Sequence, residues 1–559
     1  MRKGLTEKFA VILIGIAIVI IDLWHVITQW IANPPDRYFT GIAHYYADYF
    51  LYISQIAQGI SGNWIMANHM YTNEKLPPAW IYWPNVLAGR IGSVFTHSPF
   101  LIYTIGLILA VILLLILMWR LVTEIFPKRP TTQIVAFFLA CTASNFADMR
   151  ALFSQNSFRI VGDTWFSPTP ALNRFGGVPH QTLQTILLLL TVFLYTRIPH
   201  KPSLKSTAHL WRIAGFIAVS FLSATLSPIQ MLLVCASLSI TTLISERFKF
   251  THRLYYLAIA SGLASAFLGA FLVNHAFDTT PIFAAAKSFE LSQRVSMALV
   301  PFLIAMGPII LLIPFGVYAY LRKPTPLKIA LLIYGVASLV AFFSPLPLFL
   351  GTANVRWLHP ASYIIFPLLA AEAIMTVSTW LSSRFLHTQR KIFFTLFYTL
   401  IISAYLCTTI PSLIAQVVAR SSRETAPVLF SDLNHVPKDA VAAFAALKTY
   451  PQSGIVLTDP GLPYDLLVPI FTGKPSFTGH PIHTLYPSTK ETLRQTFFGG
   501  KMTEREAKQF LNDHRIAYLL VATANKSAVL RYSFVSQRFD NGSLTICAID
   551  TAHINVRTQ

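Results

Sequence analysis

Long apolar stretches are the feature that most limits how this chain can fold. About 20 apolar residues in a helix cross the roughly 30 Å of hydrocarbon in a bilayer. Because 54% of the 559 residues are hydrophobic and only 12% are charged, the chain is predicted to be a polytopic membrane protein. Eleven spans are predicted near residues 9–31, 99–123, 133–146, 181–198, 212–226, 228–245, 254–275, 295–321, 328–348, 361–381 and 392–418.

The net charge of +20 first suggests a nucleic-acid partner, but its distribution argues against one. Lys and Arg lie mostly in alternate short loops between the spans, a bias that orients membrane proteins. We therefore predict an uncleaved first span, a cytoplasmic N-terminus and an extracytoplasmic C-terminus. The basic residues of the predicted cytoplasmic loops are Arg120, Lys128, Arg129, Lys201, Lys205, Arg247, Lys249, Arg253, Arg322, Lys323, Lys328, Arg384, Arg390 and Lys391.

The composition changes near residue 421, where apolar runs shorten to strand length. Two such runs are 454–458 and 516–521, and two more at 532–539 and 543–549 flank an Asp-Asn-Gly turn. Amphipathic helical segments lie between them. The predicted fold is therefore mainly α: a transmembrane domain over 1–420, with external loops at 32–98 and 146–180, and an extracytoplasmic α/β domain over 421–559.

Asp48 is the first candidate for chemistry. It stands in a tyrosine-rich run of the first external loop and opens a helical pattern whose apolar face includes Tyr52 and Ile56. One interpretation is an amphipathic helix that lies on the membrane surface with a favourable N-terminal acid. The other is a carboxylate that takes a proton from an acceptor hydroxyl. Asp36, which follows the first span, is the competing candidate for this base. Tyr52 is a separate candidate for a substrate contact.

Basic and aromatic residues of the other predicted external segments are candidates for substrate binding. Arg174 and His180 are predicted to bind a phosphate, and Trp165 offers a surface on which a sugar can stack. Arg356 precedes the tenth span and either binds a phosphate through its guanidinium fork or anchors the chain at the interface. His480, near His483 in the C-terminal part, either borders an active site or lies in a surface turn.

Two acids are predicted inside spans, and no metal or cofactor motif accompanies them. Asp22 and Glu372 are either functional or paired with a neighbouring span. HExxH, GxSxG, CxxC and the phosphate-loop pattern are all missing from the sequence, and the four cysteines have no zinc or disulfide spacing. No cofactor is identified, and a divalent metal stays open.

Several short motifs, taken in order, resemble those of GT-C glycosyltransferases, in particular poorly characterised bacterial members. Residues 47–64 read Ala-Asp-Tyr-Phe-Leu-Tyr-Ile-Ser-Gln-Ile-Ala-Gln-Gly-Ile-Ser-Gly-Asn-Trp, and the tail carries Thr472-Gly473-Lys474 and Thr478-Gly479-His480. The resemblance covers most of the chain. It departs from members in which an Asp-Glu pair follows the first span, because Asp36 is followed by Arg37 here, and it lacks the Trp-Trp-Asp motif of oligosaccharyltransferases.

The resemblance implies an enzyme of the bacterial plasma membrane. It would transfer a sugar from a polyprenyl-phosphate donor to a glycan, lipid or protein acceptor on the extracytoplasmic face. By position, Asp48 corresponds to the family's base and Arg356 to a phosphate ligand. The alternatives are a lipid or sugar flippase, which the intramembrane acids favour weakly, and a GT-C-like scaffold without activity.

Overall fold

Most of the chain is helical in a computed structural model. The structure describes all residues except 1, 149, 152–153, 155–158, 162–166, 200–204, 247–252, 385–388, 421–430, 452–453 and 551–559. For residues 2–6 it describes only the backbone. Two compact units are present. The first contains residues 1–24, 107–275 and 287–419, and the second contains residues 25–106, 276–286 and 420–559.

Helices predominate in the amino-terminal three quarters of the chain, as the apolar stretches predict. In chain order the elements are α1 (Arg2–Asp22), α2 (Trp24–Ile31), β1 (Arg37–Phe39), α3 (Tyr46–Ile60), α4 (Trp83–Gly92), α5 (Pro99–Ile125), α6 (Pro130–Thr142), α7 (Pro179–Tyr195), α8 (Thr207–Leu226), α9 (Pro228–Ser245), α10 (Arg253–Thr279), α11 (Pro281–Ser292), α12 (Leu299–Ala305), α13 (Ile313–Leu321), α14 (Pro326–Phe343), α15 (Leu346–Phe349), α16 (Pro360–Tyr363), α17 (Ile365–Ser382) and α18 (Arg390–Ala419).

The carboxyl-terminal part alternates strands with helices. Its elements are β2 (His435–Pro437), α19 (Lys438–Thr449), β3 (Ile455–Thr458), α20 (Val468–Thr472), α21 (Pro487–Phe498), α22 (Glu504–Asp513), β4 (Ile516–Ala522), α23 (Lys526–Leu530), β5 (Val535–Asp540) and β6 (Leu544–Ile549). The predicted α/β character of this part is confirmed, and each of the four strands lies within two or three residues of its predicted position.

Among the described residues, seven helices are long and apolar enough to cross a membrane. They correspond to the spans predicted near 99–123, 212–226, 228–245, 254–275, 328–348, 361–381 and 392–418. The first predicted span is the pair α1 and α2, bent by 59°, which makes an eighth span if the pair crosses as one. The polytopic, mainly helical fold is therefore confirmed.

The remaining three predicted spans correspond to shorter or broken helices. Helix α6 has 13 residues and α7 has 17. The stretch predicted as a span over 295–321 is divided into α12, a 3-10 turn and α13. The break falls at Gly307, whose φ is +72° and where a Cβ would overlap the carbonyl of Ser144, so only glycine fits this close approach.

In the second unit, four strands form a sheet in the order β3-β4-β6-β5. Strands β3 and β4 are parallel, whereas β6 pairs antiparallel with both β4 and β5. Side chains of α21 and α22, including Phe497 and Phe510, pack with Leu457 and Leu519 of the strands in one apolar core. Strands β1 and β2 form a separate antiparallel pair that joins the segment after α2 to the segment before α19.

The second unit includes the first predicted external loop as well as the carboxyl-terminal part. The domain boundary predicted at residue 421 would place these two segments in different domains, and that division stays a prediction.

Helix α3 confirms the predicted helix after Asp48, but residues on all of its faces, among them Tyr49, Phe50 and Gln55, are buried. A helix lying on a membrane surface would leave its polar face exposed, so the surface-helix interpretation is wrong and α3 is a core helix.

Candidate functional site

Asp48 and His480 are in contact within the second unit. The carboxylate Oδ1 of Asp48 lies 3.0 Å from Nε2 of His480, although 432 residues separate the two in sequence. Asp48 stands in the first turn of α3, and its side chain is 35% exposed, whereas the side chain of His480 is only 2% exposed. A partly accessible carboxylate is thus held by a buried imidazole.

The backbone around His480 determines which of its ring nitrogens carries the proton. Nδ1 lies 3.1 Å from the backbone N–H of both Ile482 and His483. A nitrogen that accepts these bonds cannot carry a hydrogen, so the neutral ring is protonated at Nε2. Nε2–H therefore donates its hydrogen bond to Asp48 and fixes the orientation of the carboxylate.

The loop before His480 reaches this position because Gly479 allows it. Gly479 has a φ of +153°, and a Cβ there would lie 2.7 Å from Cδ1 of Tyr71. Tyr71 in turn donates from its hydroxyl to the carbonyls of Phe50 in α3 and Leu466, both at 3.0 Å. A glycine and a buried tyrosine thus hold the carboxyl-terminal loop beside α3, a role for Tyr71 that the sequence analysis missed.

His483 is the neighbouring buried imidazole. Its ring lies edge-on to that of His480, with centroids 4.9 Å apart, and its Nε2 lies 3.4 Å from the hydroxyl of Tyr82. Burial, together with the nearby His480 and His69, lowers the pKa of His483 well below its usual value. Since both His480 and His483 are buried, the prediction of a surface turn at these residues is wrong.

Tyr52 is buried and stacks on another histidine. The ring of His44 is nearly parallel to those of Tyr52 and Tyr103, at centroid distances of 5.6 Å and 6.3 Å, and its Nδ1 lies 3.2 Å from the hydroxyl of Tyr103. Burial lowers the pKa of His44 to about 4, although the nearby Asp48 opposes the shift. The substrate contact predicted for Tyr52 stays a prediction, and its observed contacts are those of a packed core residue.

A second polar cluster joins the first loop to α21. Nζ of Lys490 lies 2.8 Å from Glu74 and 3.0 Å from the hydroxyl of Thr72, which also contacts Glu74. Burial opposes ionisation of Glu74, but the hydrogen bonds from Lys490 and Thr72 outweigh it and lower the pKa of this carboxyl. The sequence gives no indication of this pairing, because 416 residues separate the two charges.

Asp36, the competing candidate for the base, has a different environment in the same unit. Its side chain is 76% exposed and lies 3.9 Å from Nε of Arg37, which also pairs with Asp432. The backbone carbonyl of Asp36 accepts a hydrogen bond from Lys438 beside the β1–β2 pair. An exposed carboxylate next to an arginine has neither a fixed orientation nor a sheltered environment.

Arg174, in the first unit, is a buried structural residue. Its guanidinium donates to the carbonyls of Ala140, Ala143 and Pro168 at 2.6–3.2 Å, and it lies over the ring of Tyr363. Since each of its three nitrogens already binds a carbonyl, this arrangement gives no support to the predicted phosphate contact.

Arg356 and His180 also belong to the first unit. Arg356 forms a two-pronged ion pair with Glu290, with both N–O distances at 2.7 Å. His180 is half-buried in the first turn of α7. Trp165, the predicted sugar-stacking residue, lies outside the described residues.

Of the two predicted intramembrane acids, Glu372 pairs with Arg129 at 2.8 Å, and Asp22 is buried.

Within the described part of the chain, no three His, Cys, Asp or Glu side chains are grouped so that they could hold a metal ion. The four cysteines are free thiols, and three of them are buried.

Comparisons with known proteins identify similar solved structures. No protein-family model matches the chain, and no curated protein matches it. The oligosaccharyltransferase of Archaeoglobus fulgidus in its apo form is similar over 93% of this chain and 71% of its own, with 14% identity and a TM-score of 0.48. ArnT from Cupriavidus metallidurans is similar over the full length of both chains in its apo state, with 11% identity and a TM-score of 0.49.

A second structure of ArnT, bound to undecaprenyl phosphate, is similar over 97% of this chain and 99% of its own, with 11% identity and a TM-score of 0.46. These neighbours are GT-C membrane glycosyltransferases, the class that the sequence motifs resemble. Identities of 11–14% and TM-scores below 0.5 are too low to transfer an activity. The function of this chain is therefore a proposal that depends on its own residues.

Proposed function

We propose that this protein is a membrane glycosyltransferase with Asp48 as its general base. It transfers a sugar from a polyprenyl-phosphate donor to an acceptor hydroxyl on the extracytoplasmic face. The observation that carries the proposal is the contact of 3.0 Å between the Asp48 carboxylate and the buried His480 imidazole. The GT-C-like motifs around Asp48 in the sequence supply the class of reaction.

The environment of Asp48 suits a base. Helix α3 is buried, so the position of its first turn is fixed, while a third of the Asp48 side chain is accessible to a substrate hydroxyl. His480 donates from Nε2 to one carboxylate oxygen and so orients the other. Because the imidazole is neutral in this tautomer, it orients Asp48 without adding the positive charge that would make the carboxylate a weaker base.

In the proposed step, Asp48 accepts the proton of the acceptor hydroxyl. The acceptor oxygen forms a bond to the anomeric carbon as the bond between that carbon and the phosphate oxygen breaks. The bonding electrons leave with the polyprenyl phosphate, so the glycoside, the free lipid phosphate and a protonated Asp48 balance the reaction. Returning that proton to solvent restores the base, and the partial exposure of Asp48 provides a route for it.

The phosphate ligand is a separate proposal. Of the two arginines predicted from sequence, Arg356 is the better candidate, because its guanidinium is partly exposed and a phosphate could replace its carboxylate partner Glu290. Arg174 would have to give up its buried carbonyl partners to bind a phosphate. Of the two arginines we therefore retain Arg356, and the phosphate contact predicted for His180 stays a prediction.

Radiolabelled polyprenyl-phosphate sugars, offered to the purified protein in proteoliposomes, test the class of function. Transfer to an added acceptor, or slow hydrolysis of the donor, supports a glycosyltransferase. Movement of the labelled lipid between leaflets without chemical change would instead indicate a flippase. If a panel of donors gives neither result with folded protein, a scaffold without activity becomes the better account.

The assignment of the base requires matched variants in the same assay. Asp48→Asn keeps the size and the hydrogen-bonding capacity of the side chain but removes its basicity, so transfer should be lost while the protein stays folded. Asp36→Asn is the control, because it changes an acid of the same loop that is exposed. Full activity of the Asp48 variant would exclude this residue as the base, whichever donor is used.

A further inference from the structure

Most of the exposed large apolar side chains of the first loop lie at the ends of α3 and α4. Trp64 and Ile65 follow α3, while Ile91, Val94 and Phe95 lie at the end of α4 and just beyond it. Phe95 is 83% exposed and Trp64 is 65% exposed. These five residues, together with Arg90, are called the apolar tip below.

The two segments of the apolar tip are held together by the packing of the helices that precede them. Gly59, next to the last residue of α3, lies against the backbone of Val86, and Gly89 of α4 lies against the carbonyl of Ile56. A Cβ at either glycine would collide with backbone atoms, so the helices can approach this closely only because both residues are glycine. The guanidinium of Arg90 then lies over the ring of Trp64, 5.3 Å from its centre.

The chain itself restricts where the apolar tip can be. Phe95 is four residues from Pro99, the first residue of α5, so at most about 14 Å separates them. Helix α5 has 27 residues and is long and apolar enough to cross a membrane. Its apolar run extends from Phe100 to Trp119 and is followed by Arg120, so its about 20 residues match the roughly 30 Å of hydrocarbon and place the first residue of α5 near the lipid headgroups.

We propose that the apolar tip inserts into the lipid leaflet at which α5 begins, and so holds the α3–α4 pair at a fixed depth. Its chemistry matches that location: tryptophan and phenylalanine are favoured at the boundary between headgroups and acyl chains, and a flanking arginine binds lipid phosphate.

Quenching of a fluorescent label measures the depth of the tip without any assay of activity. Phe95→Cys is labelled with a nitrobenzoxadiazole maleimide in a Cys407→Ser background, which removes the exposed native thiol. The full chain is placed in nanodiscs of phosphatidylglycerol and dibrominated phosphatidylcholine. The matched control is Arg505→Cys, an exposed position in the first turn of α22.

Brominated lipid should quench the label at residue 95 and leave the label at residue 505 bright, while aqueous iodide should do the opposite. Equal quenching of both labels by iodide would overturn the proposal. Protection of residue 95 from both quenchers would also overturn it, because a second copy of the chain or another protein would then cover the tip.

A charge in the tip provides a second test that does not depend on an apolar label at residue 95. With the label moved to Val94→Cys, a Phe95→Asp substitution should reduce quenching by brominated lipid several-fold, because a carboxylate resists entry into the acyl region. Unchanged quenching would show that the tip does not insert through these side chains. Either result is independent of the glycosyl transfer proposed above.

Discussion

Two contacts between an acidic and a basic side chain, one in each unit, illustrate how differently such residues can be used. In the first unit, Arg356 and Glu290 meet through two short bonds of 2.7 Å, and each group cancels the charge of the other. In the second unit, Asp48 meets one nitrogen of a neutral, buried His480. The first geometry is that of an ion pair that stabilises its surroundings, and the second is that of an oriented carboxylate.

The difference shows that residue type alone does not identify a reactive group. Arg174, Arg356 and Asp48 were all candidates because of their charge and position in the sequence. Arg174 proved to be bonded to backbone carbonyls and Arg356 to a carboxylate, whereas Asp48 has a partner that can hold it without neutralising it. The partner of a charged group therefore says more about its role than the group itself.

The largest effect is expected from loss of the base. Asp48→Asn should lower kcat for glycosyl transfer by about 10²–10⁴-fold, the usual contribution of general base catalysis. Asp36→Asn should leave kcat nearly unchanged, because this exposed side chain has no sheltered partner. Initial rates at saturating donor measure both. The reverse result would move the base to Asp36 and remove the distinction between the two contacts.

The second prediction concerns pH and the buried His44. Its pKa of about 4 in the folded protein lies below the usual 6.5, so between these values the unfolded chain binds the proton and the folded protein does not. Stability should therefore fall as the pH drops from about 6.5 to 4, by up to about 3 kcal/mol from this residue. Over that pH range, the melting temperature of a His44→Gln variant should fall less than that of the parent protein.

The control for this experiment lies in the other buried histidines. The pKa of His483 is also lowered by burial, so the His44 variant should keep part of the pH dependence. A variant whose melting temperature depends on pH as strongly as that of the parent protein would show that His44 is not held neutral.

The third prediction tests the orienting role of His480. His480→Ala should lower kcat by roughly 10- to 100-fold, which corresponds to the loss of one hydrogen bond to a charged group. His480→Gln should recover part of the rate, since an amide N–H can also donate to Asp48. A merely structural role would predict that both variants lose stability and that glutamine brings no recovery of kcat in the folded fraction.

The smallest effect is expected at the ion pair of the first unit. Glu290→Gln should destabilise the protein by only about 1 kcal/mol, because both side chains are partly exposed to solvent. Arg356→Gln should lower the stability by a similar amount and, because Arg356 is the proposed phosphate ligand, should also raise the donor KM. Thermal unfolding and donor KM are measured on both variants. An unchanged donor KM for Arg356→Gln would show that Arg356 only stabilises the fold.

Local features of the fold could be predicted from the sequence where apolar residues repeat with a clear period. The spans near 99–123 and 392–418 and the strands around 455–458 and 516–522 follow from such runs. The break in the helix at 295–321 was not predicted, since a hydropathy pattern does not reveal that Gly307 lies against the carbonyl of Ser144. Of the two interpretations of the segment around Asp48, the helix on the membrane surface was wrong, because most residues of α3 are buried.

The membrane class, the helical fold and the α/β character of the carboxyl-terminal part could all be predicted from the sequence, because burial of apolar side chains is encoded in short stretches of the chain. The sequence also singled out Asp48 and His480 separately. The contact between these two residues, and the partners of Arg174 and Arg356, are visible only in the folded protein. Such contacts join polar groups far apart in the chain, and no local pattern records which of them will come within 3 Å.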